Sequence, residues 1–174
     1  AILDGLGALE SAQVRDALGD SYPGVREHGL RLAEPFLQKG GSGASEMLGP
    51  VIALTNDSSA VVLRQLAFTL GESSDARAGR ALASLAKIWL ANAEIRAAIL
   101  SSAVPHCAQL LSAIMTTDPG ALGRADWIAP LIATAANSSD EALMGQAIRA
   151  ILPPPGTAPR EEHFIILATF LESA

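Results

Sequence analysis

The sequence predicts an all-α protein, an α-α superhelix of about four to five antiparallel helix pairs in one domain. Three observations lead there. The 174 residues include 33 Ala and 24 Leu but only 6 Val, with aromatics at 4%, so helix formers dominate and strand formers are scarce. A short apolar motif recurs along the chain, and cap and turn residues punctuate it. At this length one core suffices, and no disulfide or metal staple is needed for folding.

The motif is carried by Val25-Arg26-Glu27-His28-Gly29-Leu30-Arg31-Leu32-Ala33, by Val62-Leu63-Arg64-Gln65-Leu66-Ala67-Phe68-Thr69-Leu70 and by Ile95-Arg96-Ala97-Ala98-Ile99-Leu100-Ser101-Ser102-Ala103. A β-branched residue leads each copy, and small or apolar residues follow at offsets 4, 5 and 8, one face of a helix. A weaker fourth copy begins at Leu143, with Ala147, Ile148 and Ile151 at the same offsets.

Each copy is preceded by another helical pattern: Leu9 to Leu18, Met47 to Leu54, Ala81 to Leu90, and Trp127 to Ala135. The expected repeats therefore run over about residues 5–38, 45–72, 76–104 and 121–152, with an extra helix near 105–116 and a terminal helix over 160–172. Within the pairs, Gly19-Asp20-Ser21-Tyr22-Pro23, Asn56-Asp57-Ser58-Ser59 and Asn137-Ser138-Ser139-Asp140-Glu141 supply stops, caps and first-turn acids. Between pairs, Lys39-Gly40-Gly41-Ser42-Gly43-Ala44-Ser45 reads as a flexible loop, Gly71 to Asp75 as a helix end, and Thr117-Asp118-Pro119-Gly120 as a turn. Leu152-Pro153-Pro154-Pro155-Gly156 reads as a stiff extended segment. In the last helix Phe164, Ile165, Leu167, Ala168 and Leu171 are expected to cover the end of the stack or a neighbouring module.

Charge and cysteine content narrow the function classes. A net charge of −6 and an isoelectric point near 5.0, without a basic cluster in the sequence, argue against a nucleic-acid backbone as partner. The single Cys107 allows neither an internal disulfide nor a multi-cysteine metal site. Because the chain opens at Ala1 without an initiator Met or a leader, it reads as a mature fragment or as a domain of a longer protein. The uncharged run from Ala97 to Thr117 is long enough to span a bilayer, but Pro105 would break it, and two buried helices explain it better.

Residue patterns for catalysis are weak. The glycine loop at Gly40 to Ser45 precedes a helix but lacks both a preceding strand and a Gly-Lys-Ser/Thr ending. His106-Cys107 invites a thiolate reading, yet adjacent helical residues point about 100° apart. Cys107 is therefore expected in the core and His106 as a cap. His28 and His163 have no partners at metal-ligand spacing, Ser101-Ser102 reads as room for close helix approach, and Asp16, Asp20, Asp140 and Glu141 form no acid/base pair. Arg26 and Arg96, each second in its motif, either reach acids in the adjoining turn or next repeat or lie on an exposed face.

With Asp20, Pro23, Val25 and Arg26 leading into it, the motif resembles a HEAT repeat. The Gln65-Leu66-Ala67-Phe68-Thr69-Leu70-Gly71-Glu72 and Ile99-Leu100-Ser101-Ser102 phrases narrow this further. Over about residues 12–115 the chain resembles the helical segment of haem-binding, membrane-associated dehydrogenase-type proteins of planctomycetes and their relatives. The resemblance implies an exported, cell-envelope or periplasmic parent, with a dehydrogenase-like propeller before the helical segment and a cytochrome c domain after it. No haem or catalytic residue carries over, since haem attachment needs Cys-x-x-Cys-His and only Cys107 is present. Leu63 and Met144 also stand where the pattern favours a basic residue, which interrupts a continuous arginine ladder.

The expectation is thus a noncatalytic scaffold that binds a protein or neighbouring domains of its own chain. It has no catalytic, cofactor or metal residues and does not itself span a membrane. The alternative is an enzyme on HEAT-like repeats, DNA glycosylase-like or tetrapyrrole lyase-like. A DNA enzyme would need a basic groove with an intruding aromatic, for which Trp89 and Trp127 are the only indoles.

Overall fold

The computed structural model describes residues 9–138, 140–153 and 155–173. Residues 5–8 of the first expected repeat, Ser139 of the third cap cluster and Pro154 of the proline segment lie outside the described residues. Every regular element among the described residues is helical. The α-helices are α1 (Ser11–Leu18), α2 (Pro23–Gln38), α3 (Gly41–Ala53), α4 (Ala60–Gly71), α5 (Ala76–Ile88), α6 (Ala93–Ser101), α7 (Cys107–Met115), α8 (Ala125–Ala136), α9 (Glu141–Ile151) and α10 (Glu161–Ser173). Short 3-10 turns at Leu54–Asn56 and Val104–His106 precede α4 and α7.

Local chemistry sets several boundaries, those at Pro23 and Asp140 where the sequence implies them. Pro23 opens α2, where its missing N–H is harmless. Asp75, Asn92 and Asp140 cap α5, α6 and α9 by accepting from the amides of Arg77, Ile95, and both Ala142 and Leu143. Two expectations fail. Ser59 stands at the cap position of α4 without a side-chain cap bond, while Asp57 accepts from the Ser59 amide and pairs with Arg26. The expected loop at Lys39–Ser45 shrinks to Lys39 and Gly40, since α3 already begins at Gly41. Gly40 and Gly41 take φ of 67° and 76°, which turns the chain in two residues. Burial of Met47, Leu48 and Val51 then rewards helix formation over a sequence that looks like linker.

Packing follows a regular rule. Helices α2, α4, α6, α8 and α10 touch one another in succession, and so do α1, α3, α5, α7 and α9. The sequence pairs the Trp127 helix with the Leu143 helix and sets 105–116 apart. In the structure α7 lies against α5, α8 and α9, while α8 lies against α6, α7 and α10 and also meets α9, as the sequence pairs them. The Leu143 helix thus occupies the row of the first helices, although its motif reads like a second helix. A stripe of small and apolar residues serves either row.

The core runs between the rows, from Val14 and Leu30 through Leu66, Leu82 and Ile99 to Trp127, Leu131 and Ile151. Alanine and glycine set the spacing. Gly29, Ala67, Ala98 and Ala147 are buried, and a Cβ on Gly29 would lie 3.1 Å from the α1 backbone at Ala17 and Leu18. Closer still, a Cβ on Gly71 would sit 2.4 Å from Ser102 Cβ and 3.1 Å from its Cα. Gly71→Ala is therefore expected to cost about 1–3 kcal/mol, and Ser102→Gly should recover part of it. Urea denaturation of the two single variants and the double variant measures this, and additive losses would contradict the contact.

Over the uncharged Ala97–Thr117 run, Ala93–Ser101 and Val104–Met115 meet at 91°. Among the described residues no single helix is long and apolar enough to cross a membrane. In α10, Ile166 and Phe170 are the buried residues, while Phe164, Ile165 and Leu171 are 60%, 59% and 67% exposed. Four of the five apolar residues expected to cover the stack, Ala168 among them, face outward instead. The helix is apolar on more than one side, so its pattern alone does not choose the inner face.

Candidate functional site

Arg26 and Arg96 both reach acids ahead of them in the chain. Arg26 holds Asp57 with two bonds, Nε to Oδ2 at 2.6 Å and Nη2 to Oδ1 at 2.9 Å, and Nη1 donates to the Asp20 and Ser21 carbonyls. Arg96 meets Asp126 at 3.0 Å. Two further rungs were not legible in the motif: Arg64 lies 4.0 Å from Glu94, and Arg124 lies 3.2 Å from Glu162. Each bridge joins one even-numbered helix, or the residue capping it, to the start of the next.

The basic residue missing at Leu63 is thus supplied one position later, by Arg64. Met144 is not part of the series, because α9 stands in the other row. The rungs differ in environment. The Asp57 side chain is 4% exposed, whereas Glu94 is 79% exposed, so the Arg64 rung contributes little. Burial pushes the Asp57 carboxyl up, but the Arg26 hydrogen bond, the Ser59 amide and the Arg26 charge outweigh it and hold it below the ordinary value.

Beside the rungs, a polar cluster links α2 to α4. Arg31 Nε donates to Gln65 Oε1 at 2.9 Å, and Glu34 Oε1 accepts from Gln65 Nε2 at 3.0 Å and Thr69 Oγ1 at 2.9 Å. Burial raises the Glu34 carboxyl, while the Thr69 and Gln65 bonds oppose the rise. Gln65 and Thr69, four apart in a helix whose only other polar residue is Arg64, were the available signal.

His106 and Cys107 point to different neighbours. His106 is fully buried at the cap position of α7, but its ring makes no cap bond there. Its Nε2 lies 2.7 Å from the Ser73 carbonyl, which requires the proton on Nε2. Nδ1 is buried without a partner, and a Cβ on Gly79 would come within 2.7 Å of it. The expected capping role is therefore replaced by a bond across the α4–α5 link. The Cys107 thiol donates to the Leu131 carbonyl at 3.1 Å, and burial pushes it up to about 11, so it is a thiol at neutral pH.

Burial lowers the His106 pKa, partly opposed by the Ser73 and Leu70 backbone and by the Asp75 charge. A depressed folded value means that the unfolded chain binds the extra proton first as pH falls. Stability is therefore full above the ordinary value of 6.5 and declines below it until the folded value is passed. Thermal unfolding between pH 7 and 5 should show this decline, and His106→Gln, which keeps a donor for Ser73, should flatten it. Identical pH profiles would remove His106 as the group responsible.

Trp127 is fully buried, with its Nε1–H donating to the Leu90 carbonyl at 2.9 Å, and Trp89 is partly buried against the core. His28 and the Ser101 hydroxyl stay outside any cluster: His28 is exposed and Ser101 bonds to the Ala98 carbonyl. His163 bonds locally to the Arg160 amide. Asp16 is exposed, Asp20 accepts from the Tyr22 amide, and Glu141 sits in the first turn of α9 behind the Asp140 cap. The Gly40–Ser45 stretch, as the start of α3, borders a small cleft with Ser73 and Asp75. Among the described residues no group of three or more His, Cys, Asp or Glu could hold a metal ion.

A cleft of about 700 Å³ lies across α5, α7 and α9. No family model matches the chain, and no curated protein matches it.

Proposed function

We propose that the chain is a noncatalytic interaction module, a right-handed HEAT-like stack of helix pairs that holds a protein partner or neighbouring domains of a larger exported redox protein. The observation that carries this reading is α10. Ile166 and Phe170 close the last helix pair while Phe164, Ile165 and Leu171 stand exposed on the same helix. A helix that is apolar on two sides suits a position between a repeat and another packed element. The second-neighbour packing and the rungs from Arg26 to Glu162 support an array in which each pair is stabilised by the next.

The test is to prepare this segment with and without the polypeptide encoded on either side of it. With the flanking domains present, hydrogen exchange in α10 should slow, and Phe164→Asp or Leu171→Asp should release the isolated flanking domain from the module. Unchanged exchange in α10, turnover of a substrate by the isolated segment, or stoichiometric haem binding by it would each overturn the reading.

A further inference from the structure

We infer that the cleft across α5, α7 and α9 binds an extended acidic peptide segment of the module's partner; this rests on the interaction-module reading and names its ligand. The starting point is the distribution of charge. Among the described residues seven arginines are engaged with carboxylates: Arg26, Arg31, Arg64, Arg77, Arg96, Arg124 and Arg160. Of the five remaining basic residues, Arg80, Lys87 and Arg149 all line this one cleft. No carboxylate and no aromatic ring lines it. In a chain of net charge −6, three cations without an acid in their own cleft make a local positive basin in an acidic molecule.

The shape fits a backbone rather than a compact ligand. Three neighbouring helices at about 8–10 Å spacing give a path of about 20 Å, the reach of about six extended residues. Alanine and serine of α5 and α7 are prominent in the lining, and such small side chains let a chain approach closely. Gln109, Ser112 and Gln146 add amide and hydroxyl groups along the path, able to donate to and accept from a peptide backbone. Arg80 and Lys87 are seven residues apart on α5, two helical turns, while Arg149 stands across the cleft on α9. Carboxylates spaced along one strand can reach both walls.

A nucleic acid is disfavoured by the same residues. Three cations neutralise too few phosphates for useful affinity, and the lining offers no ring on which a base could stack.

The experiment uses fluorescein-labelled hexaglutamate as the probe, followed by anisotropy with the intact 174-residue protein. Saturable one-to-one binding at low salt is expected, weakening as salt rises. Combined Arg80→Glu, Lys87→Glu and Arg149→Glu substitution should weaken it by about tenfold or more. Arg15→Glu with Lys39→Glu, which reverses the other two unpaired cations, should leave it within about twofold. Because all five side chains are exposed, circular dichroism and thermal unfolding should match the parent; Arg80→Gln, Lys87→Gln and Arg149→Gln together provide a milder variant if the reversed one does not fold.

Absence of binding, equal binding by the cleft variant, or tighter binding of a labelled single-stranded oligothymidylate of the same charge would overturn the inference. Docking of flanking domains without peptide binding removes the cleft assignment and leaves the module reading intact. Substrate turnover by the isolated chain removes the module reading whatever the peptide does.

Discussion

Trp127→Ala is expected to destabilise the protein by about 3–5 kcal/mol, the cost of emptying a large aromatic site in a packed core. Trp127 has no exposed surface, and its indole N–H donates to the Leu90 carbonyl. It therefore ties α8 to the link between α5 and α6 by a hydrogen bond as well as filling the core. Against a typical total of about 5–15 kcal/mol, the loss should move the urea midpoint by a large fraction of its value. Trp127→Phe keeps most of the volume but leaves the carbonyl unpaired, so an intermediate loss of about 1–3 kcal/mol is expected. Far-ultraviolet circular dichroism through the urea transition measures both. A loss below about 1 kcal/mol for the alanine variant would be inconsistent with a filled, buried site.

Gly123→Ala is the second large effect, and it acts on the same junction. Gly123 has φ of 84°, and an added Cβ would lie 2.6 Å from the Leu90 carbonyl oxygen and 2.7 Å from Ala91 Cα. Both are backbone atoms, so no flexible side chain can yield. The left-handed conformation adds about 1–2 kcal/mol for a residue with a Cβ, and the overpacking about 1–3 kcal/mol. A total loss of about 2–5 kcal/mol is expected, with Gly120→Ala as the control. A Cβ at Gly120 would meet only Asp118 Oδ1, at an ordinary 3.6 Å. Since Gly123 and Trp127 both press on Leu90, the double variant with Trp127→Ala should lose less than the separate losses predict. Equal midpoints for Gly123→Ala and Gly120→Ala would show that the close approach is absent.

These two residues mark the boundary of what a sequence reading reaches. Gly120 stands in a Thr-Asp-Pro-Gly turn and is recognised from its neighbours. Gly123 has no such local signature; its requirement comes from Leu90 and Ala91, more than thirty residues earlier. Trp127 shows the same division, because its apolar helix predicts burial but not the carbonyl that its indole meets. At His106 and Cys107 the adjacent pair invited a catalytic reading, while the fold sends one side chain to Ser73 and the other to Leu131. Arg26 and Arg96 were visible as candidates because the motif repeats. Arg80, Lys87 and Arg149 were not, since their common feature is one cleft with no carboxylate in its lining, and sequence spacing does not encode that.

From the sequence alone follow the all-helical composition, the existence of nearly every helix, the Asp140 cap and the helix start at Pro23, and the small residues that allow close stacking. All of these depend on contacts within a few turns, where period and propensity act directly. Tertiary structure decided the row in which α9 stands, the face of α10 that turns inward, the start of α3 in a glycine-rich stretch, and the partners of the arginines. Each depends on which surfaces distant segments bury against each other, and a stripe of alanine and leucine is compatible with several such answers until the neighbouring helices are in place.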